Sequence, residues 1–168
     1  MERVMIIGSG GSGKTTLARQ LGEKTGLPVV HLDNIWWSPG NWKHLEREAF
    51  DALLARELEK PRWILDGNYD RTLEPRLEKC DTVIYLDFPR IVAFTGWLGR
   101  VIKNWGHARE DMAPGCAEWF DPEMAKWVWD FNKRNRARYH ELLSGLEGKT
   151  VHIFTTRRQV RTFLNALK

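Results

Sequence analysis

The sequence predicts an α/β protein, a mostly parallel sheet with helices on both faces. Three observations predict it. Short apolar runs alternate with stretches of helical periodicity along the chain. A glycine-rich loop, Gly8-Ser9-Gly10-Gly11-Ser12-Gly13-Lys14-Thr15, joins the first apolar run to the first helical stretch. Asp33 and Asp66 stand at the carboxyl ends of the second and third runs, the edge where ligands bind in open α/β sheets.

Val4-Met5-Ile6-Ile7 reads as the first buried strand, and Leu17 and Leu21 share one face of the helix behind the loop. Gly26 closes that helix as its C′ residue, and Pro28 forbids continuation. Val29-Val30-His31-Leu32 is strand two. Residues 35–42 form a loop turned by Ser38-Pro39-Gly40 and carrying Trp36, Trp37 and Trp42. A helix over 43–58 puts Phe50, Leu53, Leu54 and Leu58 on its apolar side, and Pro61 ends it. Trp63-Ile64-Leu65 is strand three, running into Asp66-Gly67-Asn68-Tyr69. A short helix over 73–79 leads to strand four, Thr82-Val83-Ile84-Tyr85-Leu86. A helix follows over 90–103. Residues 105–120 hold Gly106, Pro114 and Gly115 and little periodicity, and read as a mobile flap. Asp121 as N-cap and Pro122 at N1 start a helix that runs to about 143. Val151-His152-Ile153-Phe154 is strand five, and 160–167 the closing helix.

The 168 residues predict one domain, 1–168, large enough to bury a real core. No apolar run reaches membrane-spanning length, and strand one begins too early for a signal peptide, so the cytoplasm is the expected compartment. Cys80 and Cys116 make neither a disulfide framework nor a metal-ligand pair. The net charge of +4 suits a polyanionic ligand as well as nucleic acid.

The glycine-rich loop fits G-x-x-x-x-G-K-[ST], and its context of strand, loop and helix puts a helix amino terminus under phosphates. Gly8, Gly10, Gly11 and Gly13 let successive backbone N–H groups turn inward, with Ser9, Ser12 and Thr16 completing the cradle. Lys14 supplies a cation between the β- and γ-phosphates, and Thr15 a hydroxyl for Mg²⁺. The implied ligand is ATP. Asp66 is placed as the second acidic partner of Mg²⁺; the alternative is a cap of the Asp-Gly turn. Asp33 is either the group that orients or deprotonates an attacking hydroxyl, or an Asx-turn opening the Asn34 loop.

Met124, Trp127, Phe131, Arg134 and Arg138 follow helical steps and share one stripe, apolar turning basic. Arg134 and Arg138 are thus expected to face a polyphosphate, or else to form a solvated basic end. Arg100, Lys103 and Arg109 bracket the flap and either close over the transferring phosphate, Arg100 foremost, or lie on the surface. The three loop tryptophans either stack on an acceptor ring or bury a loop with little other core. Arg157, after strand five, is placed at the adenine edge on topology alone.

On these residues the chain resembles the nucleoside-monophosphate-kinase and shikimate-kinase-like branch of P-loop proteins, and within it the bacterial DNA topology modulation proteins. The segments carrying the resemblance are the loop, His31-Leu32-Asp33, Trp63 to Tyr69, Tyr85-Leu86-Asp87-Phe88-Pro89 and Lys133-Arg134-Asn135-Arg136. The resemblance implies a three-layer P-loop NTPase sandwich with strand order 2-3-1-4-5. It further implies an acceptor-binding segment at about 34–60 and a lid at about 100–120. Leu65-Asp66-Gly67 resembles the Leu-Asp-Gly of adenylate kinases, whose Asp belongs to the Mg²⁺ shell. The likeness stops at Asn68-Tyr69, and the acceptor segment lacks the arginine that grips AMP. The expectation is a monomeric ATP- and Mg²⁺-dependent kinase of a small hydroxyl compound. A nucleoside monophosphate kinase is the alternative. A third possibility is an ATP-switched nucleic-acid binder using Arg157, Arg158, Arg161 and the 133–138 cluster.

Overall fold

Strand β1 (Arg3–Gly8) lies at the centre of a five-stranded sheet with β2 (Val29–His31), β3 (Trp63–Asp66), β4 (Thr82–Leu86) and β5 (Thr150–Phe154). The order is β2-β3-β1-β4-β5 and every pairing is parallel, as the resemblance implies. The computed structural model describes residues 1–39 and 42–167, so Gly40 of the expected Ser38-Pro39-Gly40 turn lies outside the described residues.

The strands are apolar on both faces because helices cover both faces. Val4 and Ile6 point to one side, where they pack with Ile64 and Ile84 against Leu17, Ala18 and Leu21 of α1 (Lys14–Thr25) and Leu164 of α7 (Arg157–Ala166). Met5 and Ile7 point to the other. There they meet Phe50, Leu54 and Leu58 of α3 (Arg47–Leu58), Leu73 and Leu77 of α4 (Leu73–Lys79), and Phe131, Tyr139 and Leu143 of α6 (Pro122–Ser144). α5 (Arg90–Lys103) packs on α6 through Ala93, Trp97, Val101 and Val128. Asp121 caps α6 as expected, accepting from the Glu123 N–H with Pro122 in the first turn, and Gly26 closes α1 in the left-handed conformation. Among the described residues no helix is long and apolar enough to cross a membrane.

Three boundaries and one assigned face differ from expectation. Strand two stops at His31, and Leu32–Trp36 form a short helix, α2, that carries Asp33 in its first turn. An acid there suits the positive end of the helix. The next helix starts at Arg47, not 43. Trp36 and Ser38 instead pair with Leu45 and Lys43, through Leu45 N–H to Trp36 O (2.8 Å) and Ser38 N–H to Lys43 O (2.6 Å). Leu53 is exposed, outside the apolar face assigned to it. α7 begins at Arg157, three residues early, because Thr156 and Gln159 form a capping box.

The 105–120 segment has a small core of its own, Met112, Ala113 and Cys116, packed against Trp37 and Trp42. The glycine-rich loop is wedged under α5: a Cβ on Gly96 would sit 2.2 Å from Gly11 O, and one on Gly11 2.2 Å from Ala93 O. Gly96→Ala is therefore expected to push loop and helix apart. Overpacking of this kind costs about 1–3 kcal/mol, read as a lower urea midpoint; an unchanged midpoint would show that the contact yields freely.

Candidate active site

Two cavities meet at the carboxyl edge of the sheet. One, about 1110 Å³, is lined by Gly11, Ser12, Gly13, Lys14, Thr15 and Thr16 with Arg157 and Arg161 of α7. The other, about 510 Å³, is lined by Gly10, Asp33, Asp66, Tyr69 and several tryptophans. Lys14, Thr15, Arg100, Arg109 and Asp111 line both. A phosphoryl group crossing from one cavity to the other would pass these side chains.

The glycine-rich loop is built around the Ser9 carbonyl. That oxygen accepts from Ser12 N–H (3.2 Å), Ser12 Oγ (2.8 Å) and Lys14 Nζ (3.0 Å). Gly13 is left-handed, which turns the chain into α1. Gly10 has no positive φ, contrary to the sequence reading. Its missing side chain makes room for α6, because a Cβ would lie 2.9 Å from Val128 Cγ2. Gly8 and Ser9 sit behind the cradle, lining neither cavity. Burial pushes the Lys14 ammonium below its usual pKa, and Asp66 and Asp33 pull it back up.

Asp66 ends β3, the neighbour of the loop-bearing strand. Its Oδ2 accepts from Thr15 Oγ1 (2.7 Å) and lies 3.0 Å from His31 Nδ1; its Oδ1 is buried with no partner. An orphaned carboxylate oxygen beside a threonine hydroxyl is a pair of hard oxygen donors, the chemistry Mg²⁺ takes. Among the described residues no group of three or more His, Cys, Asp or Glu could hold a metal. That fits an ion that draws on one or two side chains, waters and phosphate oxygens rather than an all-protein cage.

Asp33 lines the smaller cavity. Its Oδ1 accepts from the Tyr69 hydroxyl (2.6 Å), a partner distant in sequence and not the local backbone an Asx-turn would use. Burial, with Asp33 second, pushes the Tyr69 hydroxyl far above its usual pKa, so it stays a neutral donor. Tyr69 itself is left-handed at φ 40°, unusual for a bulky residue. The turn that holds it is clamped by Arg76, fully buried in α4. The guanidinium donates to Gly67 O (2.7 Å), Asn68 O, Tyr69 O (3.1 Å) and Thr72 O (3.0 Å). Burial lowers its pKa to about 10, which leaves it cationic at neutral pH. Asn68 in turn exchanges two hydrogen bonds with Gly8, at 3.0 and 2.7 Å. Sequence reasoning passed over Arg76, although Leu73, Arg76 and Leu77 stand at i, i+3 and i+4, which places the arginine on the apolar face.

Arg100 and Arg109 converge where the cavities meet. Glu118 Oε1 is 2.7 Å from Arg109 Nε and 3.3 Å from Arg100 Nε, and Arg109 Nη1 is 2.6 Å from Asp111. Arg134 and Arg138, expected to face phosphate, line neither cavity. The stripe is inward only at its start: Met124 and Trp127 line the smaller cavity and Phe131 is core. By Arg138 the helix has passed the cavity, and the side chain pairs with Asp70 on the surface (3.2 Å). Arg134 is exposed and donates to Trp127 O. Arg136 instead binds the buried Asp87 (2.9 Å), as does His140. Trp36, Trp37 and Trp42 pack on neighbours, as the loop-burying alternative expects, and also line the smaller cavity.

No family model matches the chain, and no curated protein does. Solved structures do. A shikimate kinase from Bacteroides thetaiotaomicron is similar at 16% identity and TM-score 0.57, over 99% of this chain and 95% of that one. Shikimate kinase from Acinetobacter baumannii in complex with shikimate is similar at 18% identity and TM-score 0.58, over 100% and 96%. The chain has the P-loop small-kinase fold. At these identities the likeness speaks for architecture, and the chemistry rests on the residues above.

Arg76→Met should leave the carbonyls of residues 67–69 buried without donors. The expected loss is on the order of 3–5 kcal/mol, with Arg76→Lys recovering part of it, both read by urea denaturation. Arg76→Met at wild-type stability would show that the turn holds itself.

Proposed function

We propose that the protein is a kinase that moves the γ-phosphoryl of ATP to the hydroxyl of a small acceptor. The observation that carries this reading is Asp33: a carboxylate on the wall of the smaller cavity, oriented by Tyr69, in a cleft shared with Lys14 and Thr15. The larger cavity, with its glycine cradle and helix amino terminus, takes the nucleotide phosphates; Arg157 borders the same space. The similarity in fold to two shikimate kinases supports a hydroxyl acceptor. Likeness to the topology modulation proteins belongs inside this reading, since the loop and the segments that hold Asp33 and Asp66 are among those that carry it.

Asp33 takes the acceptor's hydroxyl proton as the oxygen bonds to the γ-phosphorus, and the bond from that phosphorus to the β-bridging oxygen breaks, releasing ADP. Lys14 and Arg100 supply positive charge to the phosphoryl group in flight. Thr15 and Asp66 would hold Mg²⁺, which supplies charge neutralisation across the β- and γ-phosphates. Tyr69 fixes one oxygen of Asp33 and leaves Oδ2 for the acceptor. The 105–120 segment, packed on Trp37 and Trp42, shields the transfer from water.

Lys14→Ala should abolish acceptor-stimulated ADP release while the far-ultraviolet circular dichroism stays native, because Lys14 supplies charge rather than core packing. Turnover at the wild-type rate would end the kinase reading. Asp33→Asn should lower kcat about 10²- to 10⁴-fold with ATP binding little changed. A kcat within about threefold of wild type would remove Asp33 as base and favour an already anionic acceptor.

A further inference from the structure

The smaller cavity is aromatic to a degree that a phosphoryl-transfer site does not itself require. Trp36, Trp37, Trp42, Trp119, Trp127 and Tyr69 all face it. They come from four separate parts of the chain: the segment after β2, the turn after β3, the 105–120 segment and α6. Its charges are the second feature. Its lining holds five carboxylates, Asp33, Asp66, Asp111, Glu118 and Asp121, against three full cations, Lys14, Arg100 and Arg109.

Those cations already face carboxylates or the phosphate loop, with Arg100 Nε and Arg109 Nε meeting Glu118 Oε1 at ion-pair distance rather than in hydrogen-bond geometry. Arg109, only 10% exposed at its side chain, is held by Asp111 at 2.6 Å and Glu118 at 2.7 Å. Arg100 lies 3.3 Å from the same Glu118 oxygen. Lys14 belongs to the phosphate loop through Ser9 O. His31 is spent on Asp66. A carboxylate or phosphate on the acceptor would thus enter a cavity whose balance is acidic, where Arg109 is paired and Lys14 and Arg100 are given to the phosphoryl group. Opening the Glu118 contacts to receive it would leave a carboxylate that is 5% exposed without its partners, a costly exchange.

We infer that the acceptor is an uncharged alcohol built on a flat ring, such as a nucleoside, rather than an anionic acid or monophosphate. The inference rests on the kinase reading for the hydroxyl, and on the tryptophan wall and the closed Arg100–Arg109–Glu118–Asp111 cluster for the ring and the neutrality. Indole faces and edges recognise flat rings through stacking and edge contacts, which carry no charge requirement. A cavity of about 510 Å³ lies within the range of small-molecule sites.

The test is a calorimetric titration of the full chain with saturating ADP and Mg²⁺ occupying the nucleotide cavity. Matched pairs share a ring and differ by an anionic group: adenosine and AMP, thymidine and TMP, methyl shikimate and shikimate. The expected result is that at least one uncharged member binds, and binds at least tenfold tighter than its anionic partner. Tighter or equal binding of the anionic members overturns the inference, and so does the absence of binding by every uncharged member. Glu118→Gln releases the two arginines and should narrow that preference at least fivefold by strengthening the anionic member. An unchanged preference overturns the role given to the closed cluster. No phosphoryl transfer is involved, so the titration can fail while the Lys14→Ala result upholds the kinase reading, and the converse can occur.

Discussion

Arg76 is the group on which the geometry of the cleft depends. A buried guanidinium with no carboxylate hydrogen-bonded to it is an expensive thing for a protein to keep. Here its donors are consumed by backbone carbonyls at 67, 68, 69 and 72, so the cation acts as a template for a turn. The turn then fixes two things at once. Asn68 locks to Gly8 at the root of the phosphate loop, and Tyr69, in a conformation disfavoured for its side chain, delivers its hydroxyl to Asp33. The acceptor-side carboxylate and the nucleotide loop are placed relative to each other through one side chain that touches neither cavity. Local strain of this sort persists only where surrounding bonds over-determine it, as they do here.

The walls of the smaller cavity come from segments far apart in the chain that hold each other. Trp42 Nε1 donates to Ala117 O (3.1 Å), and Trp37 and Trp42 pack on Met112, Ala113 and Cys116. Arg109, from within the 105–120 segment, closes on Glu118 of the same segment. The Arg100 contact to that glutamate ties the segment back to α5. Few of these contacts belong to the main core. They form a satellite cluster beside the sheet, and the cover of the 105–120 segment over the smaller cavity rests on them.

The sheet was legible because its signals are local. Parallel strands covered on both faces read as continuous apolar runs, and the glycine loop, the Asp121-Pro122 start and Gly26 each follow from the conformation one residue must adopt. The position of Asp66 at the end of β3 was legible, and Asp33, although it stands in the first turn of α2 rather than at a strand end, lines the same cavity. The site was not legible where a long-range partner decides. The basic end of α6 looked like phosphate-binding surface because helical periodicity fixes a face but not how far along the helix that face stays over the cavity; Met124 is over it and Arg138 is past it. Arg76 hid for the opposite reason: its face was readable from Leu73 and Leu77, but a charged residue in a short polar helix is ordinarily solvated.

The similarity to shikimate kinases runs the full length of the chain at 16–18% identity, so the fold persists while most side chains differ. The division falls between the two cavities. On the nucleotide side the chemistry is fixed by backbone N–H groups and one lysine, which any sequence with the right glycines can supply. On the acceptor side it is fixed by side chains alone, and there this chain places indoles and a paired Arg109. Function in such a fold is set by the second cavity. A charged acceptor needs a free counter-charge, a flat neutral one needs surface to lie on, and the described lining residues offer the surface.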